Sequence, residues 1–132
     1  MNKNFEPIDK LTEEIASKVI EAAFQVHREL GPGLLEFVYE KCLCYELNEA
    51  GLKYESQKPI SIKYKGIIFN EALRIDILVE NKIVLEIKSV DEFNPLFEAQ
   101  LLTYMKLTNC RLGFIINFNV SKLKDGIHRY VL

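Results

Sequence analysis

Apolar side chains return every three to four positions through the first thirty residues. Ala16, Val19, Ile20, Ala23, Phe24, His27 and Leu30 fall on one stripe, the spacing of an amphipathic helix. Thr12 is the expected cap, followed by Glu13 and Glu14 where the positive end of the helix dipole favours acids. Gly31-Pro32-Gly33 should end it, since glycine supplies a left-handed cap and proline cannot extend the ladder. A second helix is expected over residues 34–50, closed by Gly51. The period then shortens to two. Residues 53–64 read as a strand with Pro59 at an irregular or edge position, and Lys65-Gly66 turns the chain so that residues 67–70 pair back. Residues 73–79 and 83–90 form two more β-rich runs. Pro95 fits the first turn of a third helix reaching about Thr108. Residues 112–118 and 127–132 complete the pattern as strands. The expected order is ααββββαββ, an α/β or α+β fold with helices flanking a mixed central sheet.

The hairpin of residues 74–88 carries the most specific signal. Ile75, Ile77 and Val79 share one face of its first strand, and Ile83, Leu85 and Ile87 share one face of its second. The two apolar rows should coincide, because register follows the buried pattern. A two-residue turn at Asn81-Lys82 would set Ile77 against Glu86. A three-residue loop, Glu80-Asn81-Lys82, instead pairs Val79 with Ile83, Ile77 with Leu85 and Ile75 with Ile87. Asp76 then lies opposite Glu86, with Cβ atoms about 5 Å apart, and Lys88 follows on the same face. Opposed carboxylates repel, and two arrangements offset the repulsion. One is a bound divalent cation, for which oxygen ligands suit Mg²⁺ or Mn²⁺. The other is a solvated salt-bridge cluster with Lys88.

Composition narrows the context. The chain has 132 residues, enough for one domain with one core, of which residues 1–11 are expected to be a loose N-terminal segment. No apolar run approaches the ~20 residues of a membrane span, and the polar, acid-bearing start is unlike a targeting peptide. Cys42, Cys44 and Cys110 have no metal-ligand spacing and suit a reducing cytoplasm as small buried hydrophobes. A net charge of −2 argues against a non-specific nucleic-acid coat. From Ala99 onward, however, Lys106, Arg111, Lys122, Lys124 and Arg129 face one acid, Asp125, so the C-terminal surface is either a solvated charged face or a face for phosphates.

Asp76, followed by Glu86-Ile87-Lys88 on the next strand, resembles the Asp…Glu-x-Lys signature of PD-(D/E)XK nucleases. Gly33-Leu34-Leu35-Glu36-Phe37-Val38-Tyr39 is similar to the motif that names the GxxExxY proteins, a small family placed in that superfamily. The resemblance extends through residues 26–33, the helix segment Ala99-Gln100-Leu101-Leu102-Thr103-Tyr104 and residues 113–118, and covers roughly residues 12–132. Phe97 stands where such sequences often carry His. The resemblance implies a restriction-endonuclease-like core and a metal-dependent phosphodiesterase acting on DNA or RNA. In that scheme Asp76, Glu86 and the backbone carbonyl of Ile87 hold the cation, and Glu36 completes the acidic cluster or holds a second ion. The cation polarises a phosphoryl oxygen and acidifies a bound water. Lys88 orients that water and stabilises developing charge. Gln100 and Tyr104, one helical turn apart, hydrogen-bond the water, Lys88 or a phosphate.

Two other classes stand beside this reading. A nuclease fold without catalysis would bind nucleic acid or protein, with a homodimer or a partner protein supplying specificity. A structural domain would use the carboxylates only as a surface ion-pair network. His27 is expected to be a satisfied core histidine, and Tyr39, one turn after Glu36, to pack against it.

Overall fold

The computed structural model describes residues 6–132. Helix α1 (Lys10–Leu30) begins before the expected cap and takes in the last two residues of the segment expected to be loose, of which residues 1–5 lie outside the described residues. Asp9, not Thr12, is the N-cap: its carboxylate accepts from the Thr12 amide at 3.0 Å and from the Thr12 hydroxyl at 2.7 Å. A cap must precede the first free N–H groups, and a carboxylate three residues upstream is the better acceptor. Asp9→Ala should lower the melting temperature by a few degrees, whereas exposed acids such as Glu14 should be neutral when changed to alanine; thermal unfolding followed by circular dichroism checks both.

Helix α2 spans Glu36–Glu49, followed by β1 (Tyr54–Tyr64), β2 (Ile67–Val79), β3 (Ile83–Lys88), α3 (Pro95–Thr108), β4 (Leu112–Asn117), a short 3₁₀ turn (Leu123–Gly126) and β5 (Ile127–Val131). The five strands form one mixed sheet in the order β1-β2-β3-β4-β5, with only β3 and β4 parallel. Two expected strands, over residues 67–70 and 73–79, are therefore one. The break expected between them is a bulge: Glu71 has φ 54°, and the β1–β2 register shifts between Ile60 and Ile62. A polar pair inside a ribbon is absorbed locally when the ladder continues on both sides.

Helices cover both faces of the sheet. On one, Val19, Ala23, Tyr39, Leu43 and Leu47 pack against Ile77, Leu85, Ile87, Phe114 and Phe118. On the other, Leu101, Tyr104 and Met105 pack against Ile75, Leu78, Val84 and Ile115. This double cover is why β3 and β4 read as unbroken apolar runs. At Gly113 a Cβ would come within 2.7 Å of the Met105 sulfur, so the missing side chain lets α3 lie close on β4.

The β2–β3 loop takes the expected three residues. Glu80 and Asn81 are left-handed, at φ 52° and 54°, and Val79 pairs with Ile83 and Ile77 with Leu85. The third expected pair, Ile75 with Ile87, does not form. Ile75 turns to the α3 face, while Ile87 packs under α1 and α2. His27 and Tyr39 are structural. His27 Nε2 lies 2.8 Å from the Val120 carbonyl, and the Tyr39 ring stacks on Phe118 at 4.5 Å while its hydroxyl donates to the Gly31 carbonyl. Among the described residues no helix is long and apolar enough to cross a membrane.

Candidate active site

Where the β2–β3 ladder stops, the two carboxylates take over its hydrogen bonds. The Asp76 amide donates to Glu86 Oε2 at 3.0 Å, and the Ile87 amide donates to Asp76 Oδ2 at 2.8 Å. Each side chain reaches across to the other strand's backbone and stands in for a ladder carbonyl, which ends the alternation at Ile77. Asp76 and Glu86 are thus adjacent as expected, but through crossed side-chain bonds, not a regular cross-strand pair. On the other edge of β2, Gln57 would face Asp76 but has φ 53° and drops out of the β1–β2 pairing between Ser56 and Lys58. A left-handed non-glycine residue in a strand costs roughly 1–3 kcal/mol, and such strain gathers at functional sites.

Glu86 is only 4% exposed, and Asp76 is half-buried. Burial pushes the Glu86 carboxyl up to about 8, and the adjacent Asp76 charge adds to the rise. Burial likewise pushes Asp76 up to about 6, against the Ile87 amide bond that favours its charged form, with Glu40 as the next charge that raises it. Lys88 offsets this only in part. Its ammonium sits 4.5 Å above the centre of the Phe97 ring, and it makes no ion pair among the described residues. The salt-bridge cluster considered from sequence is therefore not what forms.

The donor set fits a hard divalent cation. Among the described residues Glu86 Oε1 has no hydrogen-bond partner and no buried side-chain oxygen is left unpartnered, so this oxygen opens to solvent. Two carboxylates with unneutralised charge suffice for Mg²⁺, which usually keeps several waters and takes one or two protein carboxylates. No group of three His, Cys, Asp or Glu side chains among the described residues is placed to hold an ion by itself. Ile87 contributes its amide to Asp76, and its side chain belongs to the core.

Helix α2 runs along this site. Its approach is pinned where Ser89 Oγ donates to the Leu34 carbonyl at 2.6 Å, just beyond Lys88. Glu36 follows two residues later, exposed and without a hydrogen bond or ion pair among the described residues. One turn on, Glu40 accepts from Ser56 Oγ at 2.9 Å and from Gln57 Nε2, which also points at Asp76 Oδ1 at 3.4 Å. Glu40 and Gln57 were not legible as site residues. The only signal was the i, i+4 spacing of Glu36 and Glu40, which puts both on one helical face. On α3, Tyr104 is buried; burial pushes its hydroxyl pKa up, and the charges of Glu86 and Asp76 add to the rise. Tyr104 packs in the core between α3 and the sheet, and Gln100, one turn before it, is exposed.

Phe97 is the shelf under Lys88. Phe93 meets Phe97 edge-on at 5.6 Å and packs on the His128 ring at 4.4 Å, which brings β5 to the same aromatic cluster. The basic C-terminal third is less available to phosphates than its charge suggested. Arg129 is held by Glu13 at 2.6 Å, and Arg111 donates to the carbonyls of Leu132, Pro7 and Glu6, by the first residue of β4 and at the opposite end of the sheet from Lys88.

No curated protein and no solved structure matches the chain. The family model of the PD-(D/E)XK nuclease superfamily matches residues 13–130, a span that takes in α2, the carboxylate hairpin and α3. Read with the Asp76…Glu86-Ile87-Lys88 order on adjacent strands, that match means the chain belongs to the PD-(D/E)XK nuclease superfamily.

Proposed function

We propose that this chain is a metal-dependent phosphodiesterase that hydrolyses DNA or RNA, of the GxxExxY type. The observation that carries the reading is the crossed Asp76–Glu86 pair, held by backbone amides and without a cationic side-chain partner among the described residues. Asp76, Glu86 and the Ile87 carbonyl would hold Mg²⁺ or Mn²⁺, with Glu36 at the mouth as a further carboxylate. When bound, the ion supplies Lewis-acid polarisation of the phosphoryl group and a water of lowered pKa. Lys88, leaving the Phe97 face, donates to the attacking water or to a non-bridging phosphate oxygen. Tyr104 and Gln100 supply further donors, and Glu40 fixes the Gln57 amide against Asp76. A homodimer or a partner protein would supply sequence preference, and three free cysteines fit a reducing cytoplasm.

The test is a titration of Mg²⁺ and Mn²⁺ into wild type and Asp76→Asn, read as melting temperature, with cleavage of labelled duplex DNA and RNA measured in parallel. Wild type should gain several degrees with metal, as any ligand selective for the folded state stabilises it. The variant should gain nothing and should not cleave. No shift and no cleavage in wild type would discard the reading. The parking of Lys88 on Phe97 favours one alternative, a nuclease fold that binds without cutting. Nucleic-acid binding with no cleavage under any metal would select it.

A further inference from the structure

The outer half of the β1–β2 hairpin leaves the body of the protein. Ser61 to Ala72 are exposed or, at Ile62, half-buried, and none of them belongs to either core. Six residues of extended chain per strand reach about 20 Å. An isolated two-stranded ribbon has little stability of its own. Yet this one displays Tyr64, Ile67, Ile68 and Phe69 at 59%, 57%, 62% and 49% exposure. The pairs Tyr64↔Ile67 and Ile62↔Phe69 set four large apolar side chains on one face, and Lys63↔Ile68 faces the other way. From Lys58 to Arg74 the ribbon holds four cations (Lys58, Lys63, Lys65, Arg74) and one acid (Glu71), a net of +3 in a chain whose net charge is −2. At the tip Lys63 and Lys65 have no carboxylate partner among the described residues, and Lys65 lies 5.4 Å over the Tyr64 ring. At the base Lys58 and Arg74 hold solvent-exposed pairs with Glu55 and Glu71, which are worth little and exchange readily, and Arg74 also donates to the Gln57 carbonyl at 3.3 Å.

We propose that this ribbon is an arm that grips duplex nucleic acid and holds it across the Asp76–Glu86 site. A groove about 12 Å wide admits a two-stranded ribbon. Lysines at the tip and Arg74 at the base would contact phosphates, with the Tyr64–Phe69 face against sugars and base edges. Leu73, where the arm departs, is three residues from Asp76, so a gripped duplex passes within about 10 Å of the carboxylates. The acidic site itself repels a polyanion, so an anchor of opposite charge has to lie beside it. A second copy of the chain fits the arm less well, because a symmetric arm-to-arm contact sets +3 against +3.

The role of the grip in cutting rests on the phosphodiesterase reading; the binding does not. The experiment is fluorescence anisotropy of a labelled ~20-base-pair DNA duplex with the full chain in EDTA over a salt series. Lys63→Ala/Lys65→Ala should weaken binding about tenfold at low salt and flatten the log–log salt slope by close to two. Phe69→Ser should weaken binding at every salt concentration with the slope unchanged. All variants should keep the wild-type melting temperature. Wild-type affinity in both variants, equal affinity of wild type for a single strand of the same length, or a change of solution mass on arm substitution would each overturn the proposal. Lost binding in arm variants beside a wild type that never cleaves leaves the arm and removes the phosphodiesterase. Cleavage by wild type with unaffected arm variants does the reverse.

Discussion

Lys88→Met should keep the wild-type melting response to Mn²⁺ while losing ~100-fold or more in single-turnover cleavage. Removing one preorganised donor to developing charge typically costs 10²–10³ in rate, about 3–4 kcal/mol. Lys88 is placed for that role by two observations. It follows Glu86 by one alternation on β3, and its ammonium rests on the Phe97 face, 4.5 Å from the ring centre, without a carboxylate partner among the described residues. An ammonium held by a ring quadrupole gives up only about 1 kcal/mol when it moves to a phosphate. Methionine keeps the unbranched stem and its contact with Phe97, so folding should be unaffected. Lys88→Arg should rescue little, because a planar guanidinium stacks on an aromatic face and places its donors differently. If Lys88→Met cleaves like wild type, the charge-stabilising role falls.

The apolar rows of the hairpin made its loop, two of its three pairs and the juxtaposition of Asp76 with Glu86 legible, because only one register buries both rows. The same rule failed at Ile75 and Ile87. There the ladder carbonyls are replaced by carboxylates, and a side chain bonded to backbone leaves no trace in an apolar alternation. Glu40 and Gln57 were illegible for a related reason: Gln57 reaches Asp76 only because its backbone is left-handed, which neither composition nor period signals. The single long β2 was read as two strands, over residues 67–70 and 73–79, because the apolar pattern lapses at Asn70-Glu71, where a bulge carries the ribbon on. The C-terminal cations were legible as charge but not as partners. Glu13, 116 positions before Arg129, and the free carbonyls that Arg111 caps are tertiary facts. Tyr39, expected to pack against Glu36, packs instead on Phe118, with its hydroxyl bonded to the Gly31 carbonyl.

Without metal, the protein should lose stability as pH rises from about 5 to about 8.5, by on the order of 3 kcal/mol, or roughly 10 °C in melting temperature for a chain of this length. The direction follows from the carboxyl pair. Burial raises Glu86 from 4.5 to about 8 in the folded protein, and Asp76 from 3.8 to about 6. Between those limits the folded state binds more protons than the unfolded chain. The stabilisation is therefore complete below the unfolded values and is lost as pH passes the folded ones. Each tenfold change in proton affinity is about 1.4 kcal/mol, and solvent at Glu86 Oε1 and Asp76 reduces the total. Asp9 and Glu13 have lowered pKa values, so their contributions fade only in more acidic solution and do not blur this window. Glu86→Gln holds the neutral form at every pH. The variant should keep only the smaller decline that the buried Asp76 carboxyl gives below about pH 7, melt at nearly constant temperature from there to pH 8.5, and lie above metal-free wild type at the alkaline end. Mn²⁺ should close that gap by raising wild type alone, since the ion does for the ionised pair what the proton does in acid. Melting curves in EDTA and in Mn²⁺ across this range decide the matter. A flat wild-type profile would mean that Glu86 ionises without penalty, which requires a cationic partner that Lys88, standing over Phe97, does not provide.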